Sequence, residues 1–345
     1  MAVEEVPLTG RSRTQLVAVV GIGGAGNNLL RQAITGGMSS KNCVAVNTDK
    51  NQLSQSPAEN KVLLTDPNQA DRHWSRKTSG QVDLMAHRVT PFTQEADFTI
   101  LLAGLGGVTG TRTGPIIAQL NRSHVRPVVS VVALPFIHER ERRFVAMRGL
   151  KRMVDSCDFT VVIDNAVHRR TSSDSGRAAD ETAAIAVRDL SDIAADPSTL
   201  SKQEILRILS LGPISTVCVA PVSSNGKVQN AVIDALRTPS ANLPLKDAMG
   251  AVMLYRGAEP LGAGQVTQAY EAVASLAGHD VEFSHLSLRS TGRPFVSLFL
   301  SGYTYSHALN SFVDLIQHVY DMEFGESYAR AEINLPLRLY QMESV

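Results

Sequence analysis

The sequence is poor in cysteine and carries no excess of charge of either sign, and both scarcities narrow its function. Its three cysteines, Cys43, Cys157 and Cys218, lie far apart with no C-x-x-C pair. That argues against a disulfide framework and a zinc site, and fits a reducing compartment. Lys and Arg total 33 and Asp and Glu total 33, so neither a basic stripe for nucleic acid nor an acidic disordered tail is suggested. No stretch reaches 18 uninterrupted apolar residues, and no transmembrane segment is expected. The opening segment MAVEEVPLTGRSRTQ has acids where an export signal would carry basic residues before an apolar run, so a cytoplasmic location is expected. No H-E-x-x-H occurs and no histidine pairs with a cysteine at ligand spacing, so no protein-bound metal is expected. Internal repeats and low-complexity tracts are absent as well.

What is present is a chain of 345 residues, 43% of them hydrophobic, enough for about two globular domains. Short apolar runs bounded by turn residues recur at Leu16 to Val20, Cys43 to Val46, Thr99 to Ala103, Val128 to Leu134 and Phe159 to Ile163. Segments with helical spacing, such as Asn28 to Ala33 and Phe144 to Val154, lie between them. This alternation predicts an α/β fold with a parallel sheet covered by helices, whose ligand sits at the carboxyl ends of the strands. Gly176 to Ala194 is rich in alanine and free of proline, which predicts one long central helix. Beyond it, alternating runs at Ile214 to Val222, Ala251 to Tyr255 and Pro294 to Leu300 are interspersed with helical segments at Gln229 to Arg237 and Val266 to Ala277. They predict a smaller α+β domain. The expected division is an N-terminal extension (1–14), a nucleotide-binding domain (15–175), a central helix with a following loop (176–204), a C-terminal α+β domain (205–303) and a helical extension (304–345).

Two loops stand out. Gly21-Ile22-Gly23-Gly24-Ala25-Gly26-Asn27-Asn28 follows the first predicted strand and opens a helix. Glycines there let the backbone turn tightly and present N–H groups to an anion, aided by the helix N-terminus. Alone, this loop also satisfies the dinucleotide fingerprint of an oxidoreductase. A second loop, Ala103-Gly104-Leu105-Gly106-Gly107-Val108-Thr109-Gly110-Thr111-Arg112, follows another predicted strand. Two such loops at neighbouring strand ends cradle a polyphosphate from both sides, which an oxidoreductase does not need. No Walker A lysine motif occurs, so phosphate charge must be met by backbone amides, hydroxyls or a metal ion such as Mg2+.

These residues resemble the FtsZ/tubulin superfamily of GTP-binding filament proteins. The first loop is similar to the family's GxGGGGxN, Asn47-Thr48-Asp49 to its NTD loop, and Ala103 to Thr111 to its AGMGGGTGT loop. Pro135-Phe136-Ile137-His138-Glu139 with Arg143 resembles PFxFExxxR, and Asn165 falls on the asparagine of IPN. The resemblance implies that Gly23, Gly24, Asn28 and Asp49 contact nucleotide, and that Gly106, Gly107, Thr109, Gly110 and Thr111 hold its phosphates. Glu139 and Arg143 would lie near the ribose. Asn165, with Asp180 or Glu181, would face guanine, whose N1–H and exocyclic amine an acid can accept. The implied cofactor is GTP or GDP, with Mg2+ an open option. The implied partners are further copies of the chain in a head-to-tail filament, and beyond them a genuine FtsZ or a membrane-anchor protein.

The chain also departs from that family. Asp66 to Gly80 replaces a glycine-rich third loop, with Arg72, Arg76 and Lys77 there either as phosphate contacts or as a solvated basic loop. Val108 and Arg112 replace loop glycines; a positive φ at Val108 would strain its β-branched side chain. The family's hydrolytic segment NxDxxD, which enters the next subunit's site, reads Thr199-Leu200-Ser201-Lys202-Gln203-Glu204, so Glu204 alone remains as the catalytic acid. Tubulin too carries Glu there. Weak GTP hydrolysis is expected; the alternatives are a non-hydrolysing partner of a genuine FtsZ and, third, a dinucleotide oxidoreductase. The apolar stripe Leu309 to Val319 reads as a helix packed on its own domain.

Overall fold

The apolar runs pair into one sheet whose central strands have no solvent-facing side. The computed structural model describes residues 16–64, 82, 85–122, 126–168, 175–196, 199–223 and 227–313. Among them ten strands occur: β1 (Val17–Ile22), β2 (Cys43–Asn47), β3 (Asn60–Leu63), β4 (Phe98–Gly104), β5 (Val128–Leu134), β6 (Phe159–Asp164), β7 (Ile214–Pro221), β8 (Gly250–Gly257), β9 (Glu282–Arg289) and β10 (Phe295–Tyr303). Their order is β3-β2-β1-β4-β5-β6-β7-β10-β8-β9. β1 to β7 are parallel wherever they pair, and β10 runs antiparallel between β7 and β8. The helices are α1 (Gly23–Thr35), α2 (Lys50–Ser54), α3 (Thr90–Thr93), α4 (Val108–Asn121), α5 (Arg140–Ser156), α6 (Asn165–His168), α7 (Ser175–Ala195), α8 (Thr199–Leu209), α9 (Val228–Leu236) and α10 (Ala263–Ala277).

Alternation along the strands divides the core between the two faces. In β4, Ile100 and Leu102 join one apolar cluster with α1, α7 and α8, while Leu101 and Ala103 join another with α4, α5, α9 and α10. Period-two side chains buried on both faces explain why these strands read as unbroken apolar runs. The strands left unread in the sequence, β3 and β9, lie at the two edges of the sheet. Edge strands are partly solvated and keep polar residues, so no continuous run marks them.

The sheet continues through the boundary expected between the domains. β6 and β7 pair in register at Thr160 with Ile214 and Val161 with Ser215. Beyond those pairs Ser240 enters between the strands. Its hydroxyl donates to the Val162 carbonyl (2.8 Å) and accepts the Val217 N–H (3.1 Å). Its carbonyl accepts the Asp164 N–H (2.7 Å). The stretch after β10 is helical over 305–313, and it packs on α5 through Phe312 and through the Tyr305 hydroxyl, which donates to the Met147 carbonyl. The remainder of the expected helix, and residues 66–80 with their three basic side chains, lie outside the described residues.

Helix α7 spans 21 residues, roughly 30 Å at 1.5 Å per residue. Its buried apolar positions Ala179, Ala183, Ala186, Val187, Leu190, Ile193 and Ala194, with Ala184 at the border, form one helical stripe laid across the sheet. Asp189 on that helix is fully buried and accepts from Arg256 Nε (3.0 Å) and Nη2 (2.6 Å) and from the Ser297 hydroxyl. Arg256 also reaches Asp192. This network ties α7 to β8 and β10. Arg256→Met should lower unfolding free energy by about 3–5 kcal/mol, the usual cost of leaving a buried charge without its partner, as read by urea denaturation; a loss below about 1 kcal/mol would show that the network carries little.

Candidate functional site

Both glycine loops stand at the carboxyl ends of adjacent strands, because Ile22 of β1 is registered with Ala103 of β4. Absent side chains let the helices that follow both loops seat closely on β4. A Cβ on Gly26 would lie 2.2 Å from the Leu102 carbonyl oxygen, and one on Gly110 would lie 2.5 Å from the Gly104 carbonyl oxygen. The backbone turns into the helices at Gly23 (φ +71°) and Gly106 (φ +87°). Among the described residues no side-chain-bearing residue has positive φ. The strain foreseen at Val108 therefore does not arise: Val108 is the first residue of α4, and the left-handed turn falls two positions earlier, on glycine. Val108 is 46% exposed at the mouth of the loop. Arg112, one turn further, is half-buried.

Helices α1 and α4 both begin here without a capping side chain from their N-cap residues, Ile22 and Gly107, and neither has an acid in its first turn. Helix α2 shows the contrast, since Asp49 caps it by accepting the N–H groups of Asn51 (2.8 Å) and Gln52 (3.2 Å). Uncapped first-turn N–H groups at two converging helix N-termini favour an anion. Thr111 is buried and its hydroxyl accepts the Gly106 N–H (2.9 Å), so it braces the turn from inside. Thr109 is half-buried, with its hydroxyl 3.3 Å from that of Thr48, which joins the Asn47-Thr48-Asp49 loop to the second glycine loop. Gly24 and Asn28 are exposed on α1, and Asn28 Oδ1 accepts from Arg31 at 3.5 Å. Asn27, which the sequence did not single out, bridges the loop to β2 by donating to Gly23 O (2.8 Å) and Val46 O (3.0 Å). Its buried Oδ1 has no hydrogen-bond partner among the described residues.

The segment after β5 forms the next wall. Glu139 accepts the Phe136 N–H (3.0 Å) with one carboxylate oxygen and Arg142 with the other. Arg143, expected near a ribose, points inward instead. It is 3% exposed, pairs with both oxygens of Asp164 (2.8 and 2.9 Å), donates to Pro135 O (2.6 Å) and lies over the Phe312 ring. The sequence marks neither Asp164 nor Arg142: nothing local connects Asp164 to Arg143, 21 residues earlier, and Arg142 has no place in the PFxFExxxR pattern. The signal available was the unusually basic run Arg140-Glu141-Arg142-Arg143. Asn165 opens α6 directly after Asp164 and is half-buried.

On α7, Asp180 is half-buried against α1 and accepts from Gln32 Nε2 (3.0 Å), one turn after Asn28. Burial pushes its carboxyl above the usual carboxylate range, opposed by Arg31 and the Gln32 bond. Glu181 beside it is exposed. Glu204 lies elsewhere. Its helix α8 starts where Lys202 Nζ donates to Ala194 O at the end of α7 (3.0 Å), and leads into β7, whose first residue is registered with the second of β6. Glu204 is thus exposed at the amino ends of the strands, a sheet's length from the glycine loops of its own chain. Among the described residues no three His, Cys, Asp or Glu side chains converge as a metal would require, and no helix is long and apolar enough to cross a membrane.

Residues 16–171 match the Tubulin/FtsZ family, GTPase domain. Cell division protein FtsZ 2 of Methanocaldococcus jannaschii is 30% identical over 262 residues, covering 71% of this chain and 68% of that one. The chain belongs to the Tubulin/FtsZ family. Among solved structures, an empty FtsZ dimer from M. jannaschii superposes with a TM-score of 0.71 at 24% identity, covering 85% of this chain and 89% of that one. CetZ2 from Haloferax volcanii, solved as a GTPγS-bound protofilament, gives 0.67 at 25% identity over 89% of this chain and 99% of that one. The GTPase-domain match spans both glycine loops, the Asn47-Thr48-Asp49 loop and Asn165.

The buried Arg143–Asp164 pair holds the Glu139 segment to the end of β6. Arg143→Ala strands the Asp164 carboxylate at 5% exposure and should cost about 3–5 kcal/mol of stability in chemical denaturation. An unaltered midpoint would show that the pair does not support this wall.

Proposed function

We propose that the protein is an FtsZ-like cytoskeletal GTPase that binds GTP or GDP between its glycine loops, assembles head to tail in the cytoplasm, and hydrolyses GTP weakly in trans, in cell division or cell-shape control. One observation carries the reading: the anion-binding loops and the sole remaining candidate acid, Glu204, face opposite ends of the sheet. Each half of the site is useful only against the complementary end of another copy. The GTPγS-bound protofilament of CetZ2 from Haloferax volcanii supports the same arrangement.

The residues fit a nucleoside triphosphate. First-turn N–H groups of α1 and α4, with Thr109, would take the phosphate oxygens. Asp180 or Glu181, with Asn165 and Asn28, would border the base; a carboxylate there favours guanine, which offers N1–H and amine donors that adenine lacks. Asp49 is committed to capping α2, so Mg2+, where it enters, would be held chiefly by phosphate and water. When bound, the nucleotide supplies the γ-phosphoryl group. Glu204 of an adjoining copy would accept a hydrogen bond from the attacking water and orient it in line.

A second reading, a non-hydrolysing regulatory partner of a genuine FtsZ, is favoured by Thr199 and Ser201 standing where the family carries Asn and Asp. In the first reading, phosphate release from GTP rises more than proportionally with protein concentration. Glu204→Ala then lowers it by about 10²- to 10⁴-fold and leaves nucleotide affinity intact. Bound GTP with no release at any concentration supports the second reading; turnover proportional to concentration and insensitive to Glu204→Ala overturns catalysis in trans.

A further inference from the structure

Arg142 is placed by contacts that neither the family motif nor the sequence marks. The backbone of its turn is pressed against the second glycine loop, with its carbonyl oxygen 2.5 Å from where a Cβ on Gly106 would sit. One terminal guanidinium nitrogen, Nη2, lies 3.9 Å from the equivalent point on Gly107. Gly107 is the N-cap of α4, so the arginine edge and the open N–H groups of that helix border the same space. The side chain is 54% exposed and is held from the other side by Glu139 through Nη1. Glu139 is itself held by the Phe136 N–H.

The neighbouring Arg143 is spent on Asp164 and Pro135, and backbone amides carry no net charge. The N–H groups of α4 can take a terminal phosphate by themselves, and a planar guanidinium beside them adds a full positive charge in a geometry that serves two oxygens. We propose that Arg142 is the phosphate-gripping residue of this site. Glu139 serves as the positioning residue that holds its fork over Gly107, so the pair acts at the phosphate end of the ligand rather than at the sugar. The inference rests on the nucleotide-binding reading above.

The test titrates GTP, GDP and guanosine calorimetrically into the full chain, with Arg142→Gln, Arg142→Lys and Glu139→Gln compared with the parent. The readout is the ratio of GTP to guanosine affinity, since any loss of folded protein lowers both alike. Arg142→Gln should reduce that ratio by about 10- to 100-fold, the worth of a charged hydrogen-bonding group, with GDP affected less than GTP. Arg142→Lys should restore part of it, as a point charge without the fork. Glu139→Gln should reduce the ratio less, without touching guanosine. An unchanged ratio in Arg142→Gln overturns the proposal while nucleotide binding stands, and a parent chain that binds none of the three overturns both readings.

Discussion

The close seating of α1 and α4 on the carboxyl ends of β1 and β4 is the constraint on which the site depends. The strands are hydrogen-bonded neighbours, so the two helices start side by side, and only glycine at positions 26 and 110 lets backbone approach backbone closely enough. A methyl group at either position would meet a carbonyl oxygen of β4 and lift its helix from the strand. The two sets of first-turn N–H groups would then no longer face one volume. The Asn47-Thr48-Asp49 loop and the Glu139 segment are walls added around that volume, each anchored by its own hydrogen bonds.

Helix α7 relates this site to the opposite end of the molecule. Asp180, near its start, leans on α1 beside the first glycine loop, while its last turn receives Lys202 from α8, the helix that presents Glu204. Between the two ends, Asp189 is gripped by Arg256 and Ser297 from the C-terminal strands. A helix fastened at both ends and in the middle has little freedom to shift in register without disturbing a loop, a buried carboxylate or the acid-bearing helix.

Much of this was legible in the sequence, for a physical reason. Strands buried on both faces must be apolar throughout, so β1, β2, β4, β5 and β6 appear as runs, and glycines required by close backbone approach appear as clusters. The edge strands β3 and β9 lack that signature. Long-range pairing was equally hidden: Arg143 matches a ribose-contact motif, yet its orientation is decided by Asp164, which no local pattern connects to it. Val108 shows a condition that only the backbone decides. Its replacement of a glycine suggested strain, but a loop needs glycine only where φ is positive, and that position is Gly106. Asp180 is marked by the resemblance alone, while its partner Gln32, half-buried on α1, has no distinguishing local context.

Ser240 bears on how one sheet can serve two halves of a protein. At their lower ends β6 and β7 share a ladder; above it a single hydroxyl and its own peptide group take over the duties of the missing rungs. The strands diverge there with the Val162 carbonyl and the Val217 and Asp164 N–H groups all partnered, so the fork between the two leaves is a seam with its own stitching rather than a tear. Removing one oxygen atom, as in Ser240→Ala, would unpick it at the Val162 carbonyl and the Val217 amide together.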